Sequence, residues 1–268
     1  MIRRCMAACV FLTVAACSSL SPLPPADPSF RRFEEVRSDL VTLGWLHPGS
    51  SSSDQPLFVV VEGDGAAWSL DKSPPSDPTP RSGAGARLAS ALANGRAVLY
   101  LARPGQYLSP EQAARSSIHH WTDRRFAIGP VEALGALIDR ALEPGQEMIL
   151  VGFSGGGVLA AELALRRRDI LALITIAAPL DLDGWTRLHN ISPLATVSGD
   201  LPSSLGKATF AQRHLYGGRD RIVPPVLAGP LRADTVRLLE NLGHDDDWAP
   251  AVISEIRSLA LEGGGTGR

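Results

Sequence analysis

A doubly wound, mostly parallel α/β sheet carrying one short cap insertion is the fold predicted for this 268-residue chain. The first reason is rhythm: short apolar runs alternate with helical stretches from residue 57 to residue 261, as strand–helix–strand crossovers require. The second is that Pro56-Leu-Phe-Val-Val-Val61 and Ile170-Leu-Ala-Leu-Ile-Thr-Ile-Ala177 are apolar without alternation, so both faces of those strands must be covered. The third is the turn Gly152-Phe-Ser-Gly-Gly156, which stands between an apolar run and a helical pattern. The length suits one large domain, and 44% hydrophobic with 20% charged residues is ordinary globular composition. A net charge of −2 leaves no basic footprint for nucleic acid.

The N-terminus stands apart from that pattern. Met1-Ile-Arg-Arg4 is basic, and the apolar run Cys5 to Ala16 is too short for an ordinary membrane span, so residues 1–16 read as an export signal. The run ends in Val14-Ala15-Ala16-Cys17-Ser18, which resembles the lipobox of bacterial lipoproteins. That resemblance implies cleavage before Cys17, lipid on Cys17, and attachment to a membrane at the cell envelope. Ser18 after the cysteine resembles an outer-membrane sorting signal of Gram-negative bacteria. The alternative is an ordinary signal peptide cut after Ala16, with Cys17 left as a plain thiol. All three cysteines lie in the first seventeen residues, so either cut leaves too few for an internal disulfide. Residues 17–29, rich in proline and serine, read as a tether with no packing of their own.

The domain is expected over residues 30–261. Phe33 to Leu46 holds β-favouring residues for opening edge strands, and Gly49 to Asp54 is a turn. The strand ending at Val61 runs into Glu62-Gly-Asp-Gly65. Asp71 to Ser82, with four prolines, is a loop, Gly83 to Ala93 a small-residue helix, and Arg96 to Leu101 a strand. Arg103 to Thr122 reads as irregular. Pro130 to Leu142 repeats apolar residues at helical spacing and closes on Pro144-Gly145. A helix is expected from Gly156 to Arg168, its three terminal arginines complementing the helix dipole. Residues 179–208 lack strong periodicity and are expected as a cap over the site. Strands at Thr209 to Tyr216 and Asp234 to Glu240, a helix from Trp248 to Leu261 and a flexible tail, 262–268, complete the chain.

Gly-x-Ser-x-Gly between strand and helix is the signature of a nucleophile elbow, a turn so tight that glycines must flank the serine. Downstream come Gly217-Gly-Arg-Asp220-Arg-Ile-Val-Pro224 and Gly243-His244, each just after an expected strand. On these three motifs, in the order Ser154, Asp220, His244, residues 57–261 resemble the α/β-hydrolase superfamily. The resemblance implies Ser154 as nucleophile, His244 as base and Asp220 as the acid that orients His244. It also implies an oxyanion hole from the backbone N–H groups of Gly155 and Asp64. A serine hydroxyl needs such a base within hydrogen-bond reach, and histidine suits it near neutrality.

Alternatives stand beside several of these residues. Asp181 and Asp183 occupy a place that some hydrolases use for the acid, and Asp245, Asp246 and Asp247 adjoin His244. Asp64 could instead serve a metal or a simple hairpin. Arg103, Arg124 and Arg125 read as structural ion pairs or as a carboxylate-binding set. No His-x-x-x-His or His/Cys cluster argues for a metal, and no cofactor is called for. Glu62-Gly-Asp-Gly65 with Trp68, Asp77-Pro-Thr-Pro80, Tyr100-Leu-Ala-Arg-Pro104 and Trp121-Thr-x-x-Arg-Phe126 further resemble a set of bacterial hydrolase-like lipoproteins. The function expected is a membrane-tethered serine esterase acting on a small-molecule or lipid-like ester. An envelope peptidase or amidase with the same triad, or a binding lipoprotein on a hydrolase scaffold, are the competing readings.

Overall fold

The computed structural model describes residues 24–49, 55–66 and 73–263. The export signal, Cys17, residues 17–23 of the tether, Trp68 and the tail beyond Gly263 lie outside the described residues. Two strands open the domain: β1 (Arg31–Arg37) and β2 (Leu40–His47) pair antiparallel. There follow β3 (Leu57–Val61), α1 (Ala84–Leu92), β4 (Val98–Leu101), α2 (Pro110–Ala113) and α3 (Ile128–Ala141). Next are β5 (Met148–Phe153), α4 (Gly155–Ala164), β6 (Ile170–Ile176), α5 (Leu182–Leu188) and α6 (Leu201–Gly206). The chain closes with β7 (Ala211–Gly217), β8 (Val236–Leu239) and α7 (Ala249–Gly263).

One sheet holds all eight strands in the order β1-β2-β4-β3-β5-β6-β7-β8. It is parallel from β4 to β8 and antiparallel only where β2 meets β1 and β4. Strand alternation sends side chains to two cores. Val59, Leu150 and Leu173 meet Leu134, Leu137 and Leu159 of α3 and α4 on one face. Phe58, Val60, Val151 and Ile174 meet Leu88, Leu92 and Val252 of α1 and α7 on the other. Both faces are covered, which is why the central strands read as unbroken apolar runs. From β3 the chain steps to β4 on one side and then to β5 on the other. Such a switch point opens a crevice beyond the carboxyl ends of β3 and β5.

Several expectations need correcting. The last part of the expected tether belongs to the domain: Pro24 is buried, and the Asp27 carboxylate closes a turn by accepting from Ser29 N at 2.9 Å. Residues 103–122 are not wholly irregular. Ser109 and Gln112 form a reciprocal capping box that starts α2, and Ile118–His120 is a 3-10 turn. Helix α4 ends at Ala164, so the three arginines lie past its last turn. Arg166 still donates to the Glu162 carbonyl at 2.8 Å, but Arg167 is held by Asp139 and Asp169. Helix α7 runs on into the expected tail. Among the described residues no helix is long and apolar enough to cross a membrane.

His214 on β7 is fully buried, bonded to Thr175 Oγ1 at 2.9 Å and Gln212 Oε1 at 3.2 Å. Desolvation pushes its pKa down to about 4. An unfolded histidine near 6.5 takes up a proton that the native ring refuses, so the native state loses stability as pH falls through that window. Between pH 7 and pH 5 this amounts to about 2 kcal/mol. Urea unfolding at the two pH values should show His214→Asn less acid-sensitive than the wild type by roughly that amount.

Candidate active site

Ser154 sits at the carboxyl end of β5, inside the crevice that the strand order creates. Its φ of 52° and ψ of −127° lie where side-chain-bearing residues seldom go. Ser154 N donates to Ile176 O at 2.8 Å, and Gly157 N donates to Ser154 O at 2.8 Å, so the turn is pinned on both sides. Gly152 is required by close approach, because a Cβ there would stand 2.5 Å from both Gly156 O and Gly157 Cα. The elbow is thus a strained serine held by its neighbours.

Three residues distant in sequence meet here. His244 Nε2 lies 3.1 Å from Ser154 Oγ, and His244 Nδ1 lies 2.8 Å from Asp220 Oδ2. Asp220 is buried, and its other oxygen accepts from Ile222 N at 2.8 Å and Val223 N at 2.9 Å. Those two bonds hold an acceptor towards His244, so the ring carries its proton on Nδ1 and offers Nε2 to the serine. The ring is seated from two more directions. Trp248 Nε1 donates to the His244 carbonyl at 3.1 Å, and the Phe153 ring lies 5.1 Å from the imidazole, tilted by 47°.

The rival acids lie elsewhere in the hydrogen-bond network. Asp181 caps α5 by accepting from Gly184 N at 2.9 Å. Asp246 accepts from Gly243 N at 2.7 Å, Asp247 accepts from Ala249 N at the start of α7, and Asp245 is exposed. The expected cap divides in two. Helix α5 adjoins the site, with Trp185 Nε1 and His189 Nε2 both bonded to the Ile222 carbonyl just beyond Asp220. The second half is drawn down the flank of α4, because the buried Glu162 carboxylate takes bonds from Ser198 N at 3.0 Å and Ser198 Oγ at 2.7 Å. Only its first part bonds the loop that carries Asp220.

The turn after β3 packs directly on the elbow. A Cβ on Gly63 would lie 2.9 Å from the Phe153 ring. Glu62, a buried carboxylate at the open start of α1, accepts from Gly63 N at 2.9 Å, Gly85 N and Ala86 N at 3.0 Å, and Tyr100 Oη at 2.9 Å. It thereby supplies the cap that Gly83 cannot. Burial foremost, with the Glu62 charge beside it, holds the Tyr100 phenol well above its ordinary range. Gln106 links the loop to β4: its Nε2 donates to Gly63 O at 2.9 Å, while its Oε1 accepts from Arg103 N at 3.0 Å.

Asp64, expected to lend a backbone N–H, is placed in this loop beside Gly155. Its carboxylate forms ion pairs with Arg103 and with Arg125, whose Nε is 3.4 Å from Asp64 Oδ2. Both guanidiniums are buried and flank the Phe126 ring at 5.1 and 5.2 Å, whereas Arg124 is exposed. Desolvation lowers the pKa of Arg125 to about 10; it also holds Arg103 well below its ordinary range, where Arg125 adds repulsion. The segments around Asp77, Tyr100 and Trp121 also converge on this loop. Pro78 O accepts from Ala66 N, Thr79 Oγ1 accepts from Tyr107 N at 2.7 Å, and Trp121 Nε1 reaches Pro75 O at 3.0 Å. The structural roles of Glu62, Gln106 and Trp248 were not anticipated, since single polar residues between apolar runs carry no periodic signal.

No protein-family model and no curated protein matches the sequence. Solved structures do share its architecture. The esterase Pf2001 of Pyrococcus furiosus aligns at a TM-score of 0.55 and 14% identity, over 87% of this chain and 90% of that one. The putative α/β hydrolase ATU1826 of Agrobacterium tumefaciens aligns at 0.57 and 13%, over 88% and 97%. XC6422 of Xanthomonas campestris, described as an α/β serine hydrolase without a lid, aligns at 0.54 and 17%, over 88% and 97%. Strand order, two covered faces and these likenesses together establish that the chain has the α/β-hydrolase fold.

Proposed function

We propose that the protein is a serine hydrolase that cleaves carboxylic esters through an acyl-Ser154 intermediate. The observation that carries this reading is the hydrogen-bonded row Ser154–His244–Asp220 on a strained strand-to-helix turn. Ser154 Oγ attacks the ester carbonyl carbon while its proton passes to His244 Nε2. The carbonyl oxygen gains the negative charge, facing the Gly155 and Asp64 N–H groups. Collapse expels the alcohol, which takes the proton from His244. Water then repeats the cycle, releasing the acid and restoring Ser154. Esters are favoured over amides because esterases are among the proteins of like fold. The lipobox-like start adds a place: a lipid on Cys17 would hold the enzyme in the cell envelope, on the periplasmic face of an outer membrane, against small-molecule or lipid-like esters.

A fluorophosphonate probe tests the core of this reading. Wild type should be labelled and Ser154→Ala should not; an unlabelled wild type, or equal labelling of the two, would sink it. A panel of 4-nitrophenyl esters beside peptide anilides separates esterase from peptidase, the first class being turned over faster.

A further inference from the structure

Asp64 places a carboxylate against the backbone that carries the proposed oxyanion donor. A Cβ on Gly155 would land on Asp64 Oδ1 and 2.5 Å from Arg103 Nη1, so both groups press on the Gly155 Cα. Acyl transfer develops negative charge beside the Gly155 N–H, and a bare carboxylate against the Gly155 Cα would oppose it. At an effective dielectric near 20, two such charges about 6 Å apart repel by an amount that corresponds to a rate loss on the order of 10². The carboxylate is not bare. Arg103 and Arg125 both pair with it, their side chains 3% and 1% exposed, which sets two cations against one anion.

Packing alone gives no reason for such a cluster. Burying two guanidiniums is unfavourable, and apolar side chains of similar volume fill such space as well or better. Arg103 is also tied to the loop through its own backbone, since its N–H bonds the Gln106 amide that holds Gly63 O. Its guanidinium reaches the Arg125 carbonyl at 3.2 Å, so a single residue links the loop after β3, the loop after β4 and the approach to α3.

We propose that Arg103 is a positioning residue of the acyl-transfer site: it neutralises Asp64 beside Gly155 and holds the Glu62–Gly65 loop against the elbow. The inference rests on the acyl-Ser154 reading. It predicts a signature that packing would not give, rescue by removal of the opposing charge. In the full chain, Arg103→Met, which leaves Arg125 paired with Asp64, should lower kcat for a 4-nitrophenyl ester by about tenfold or more with KM within about threefold, and slow fluorophosphonate labelling in parallel. The double variant Arg103→Met/Asp64→Asn, which carries neither charge, should return kcat to within about threefold of wild type. If Arg103→Met does not fold, as its thermal transition will report, the double variant decides alone. A kcat within threefold of wild type in Arg103→Met, or a folded double variant slower than wild type by tenfold or more, overturns the proposal. Wild type that resists the probe overturns the acyl-Ser154 reading, and this inference with it; a labelled wild type without rescue overturns this inference alone.

Discussion

His244→Ala should reduce ester turnover by about 10⁴- to 10⁶-fold while leaving the protein folded; in a serine protease with the same row, loss of this base costs about 10⁶. His244 Nε2 is the base within reach of Ser154 Oγ, at 3.1 Å. Without it the hydroxyl keeps its proton during attack, and the leaving alcohol has no acid to protonate it. The ring is only partly buried, and its main-chain carbonyl, bonded by Trp248, is untouched by the substitution. Stopped-flow or steady-state hydrolysis of a 4-nitrophenyl ester, with thermal unfolding as control, reads the effect. A loss under tenfold would assign the base elsewhere. What remains in the variant measures the oxyanion donors alone.

Asp220→Asn should cost about 10⁴ in kcat with little change in KM. The substitution preserves shape, and the asparagine carbonyl can still accept from Ile222 N and Val223 N, as Asp220 Oδ1 does. Its amide would then face His244 Nδ1, 2.8 Å from where the carboxylate now sits. An amide donor there forces Nδ1 to accept, which moves the ring proton to Nε2 and leaves nothing to take the serine proton. Asp181→Asn provides the contrast. Asp181 caps α5, and asparagine caps about as well, so its variant should stay within a few-fold of wild-type turnover and keep its stability. Equal losses from the two substitutions would show that the acid had been assigned to the wrong strand end.

Much of this was legible before any coordinates. Central strands β3, β5 and β6 are apolar on both faces because helices cover both, and that leaves an unbroken run in the sequence. Gly152 and its neighbours announce a turn with no room for side chains. Asp220 and His244 follow β7 and β8 within a few residues, at the same sheet edge as Ser154. The cap was harder. Its lack of periodicity marked residues 179–208 as an insertion, yet the path of its second half is set by Glu162, a buried acid in an otherwise small and apolar helix. A lone glutamate at such a position reads as a solvated side chain.

By itself the sequence determined the α/β class, the elbow, and the order in which Ser154, Asp220 and His244 arrive, because each motif depends on residues close together along the chain. Tertiary structure alone shows which carboxylate bonds His244, and what surrounds Gly155. Asp181 and Asp220 follow β6 and β7, and only the second lies 2.8 Å from the ring. Asp64, Arg103 and Arg125 come from three loops, and the sequence leaves open which groups they pair with until the fold brings them together. The reason is physical: local steric and periodic signals act over a few residues, whereas the choice between like charged groups is made by distance and desolvation, which exist only once the chain has packed.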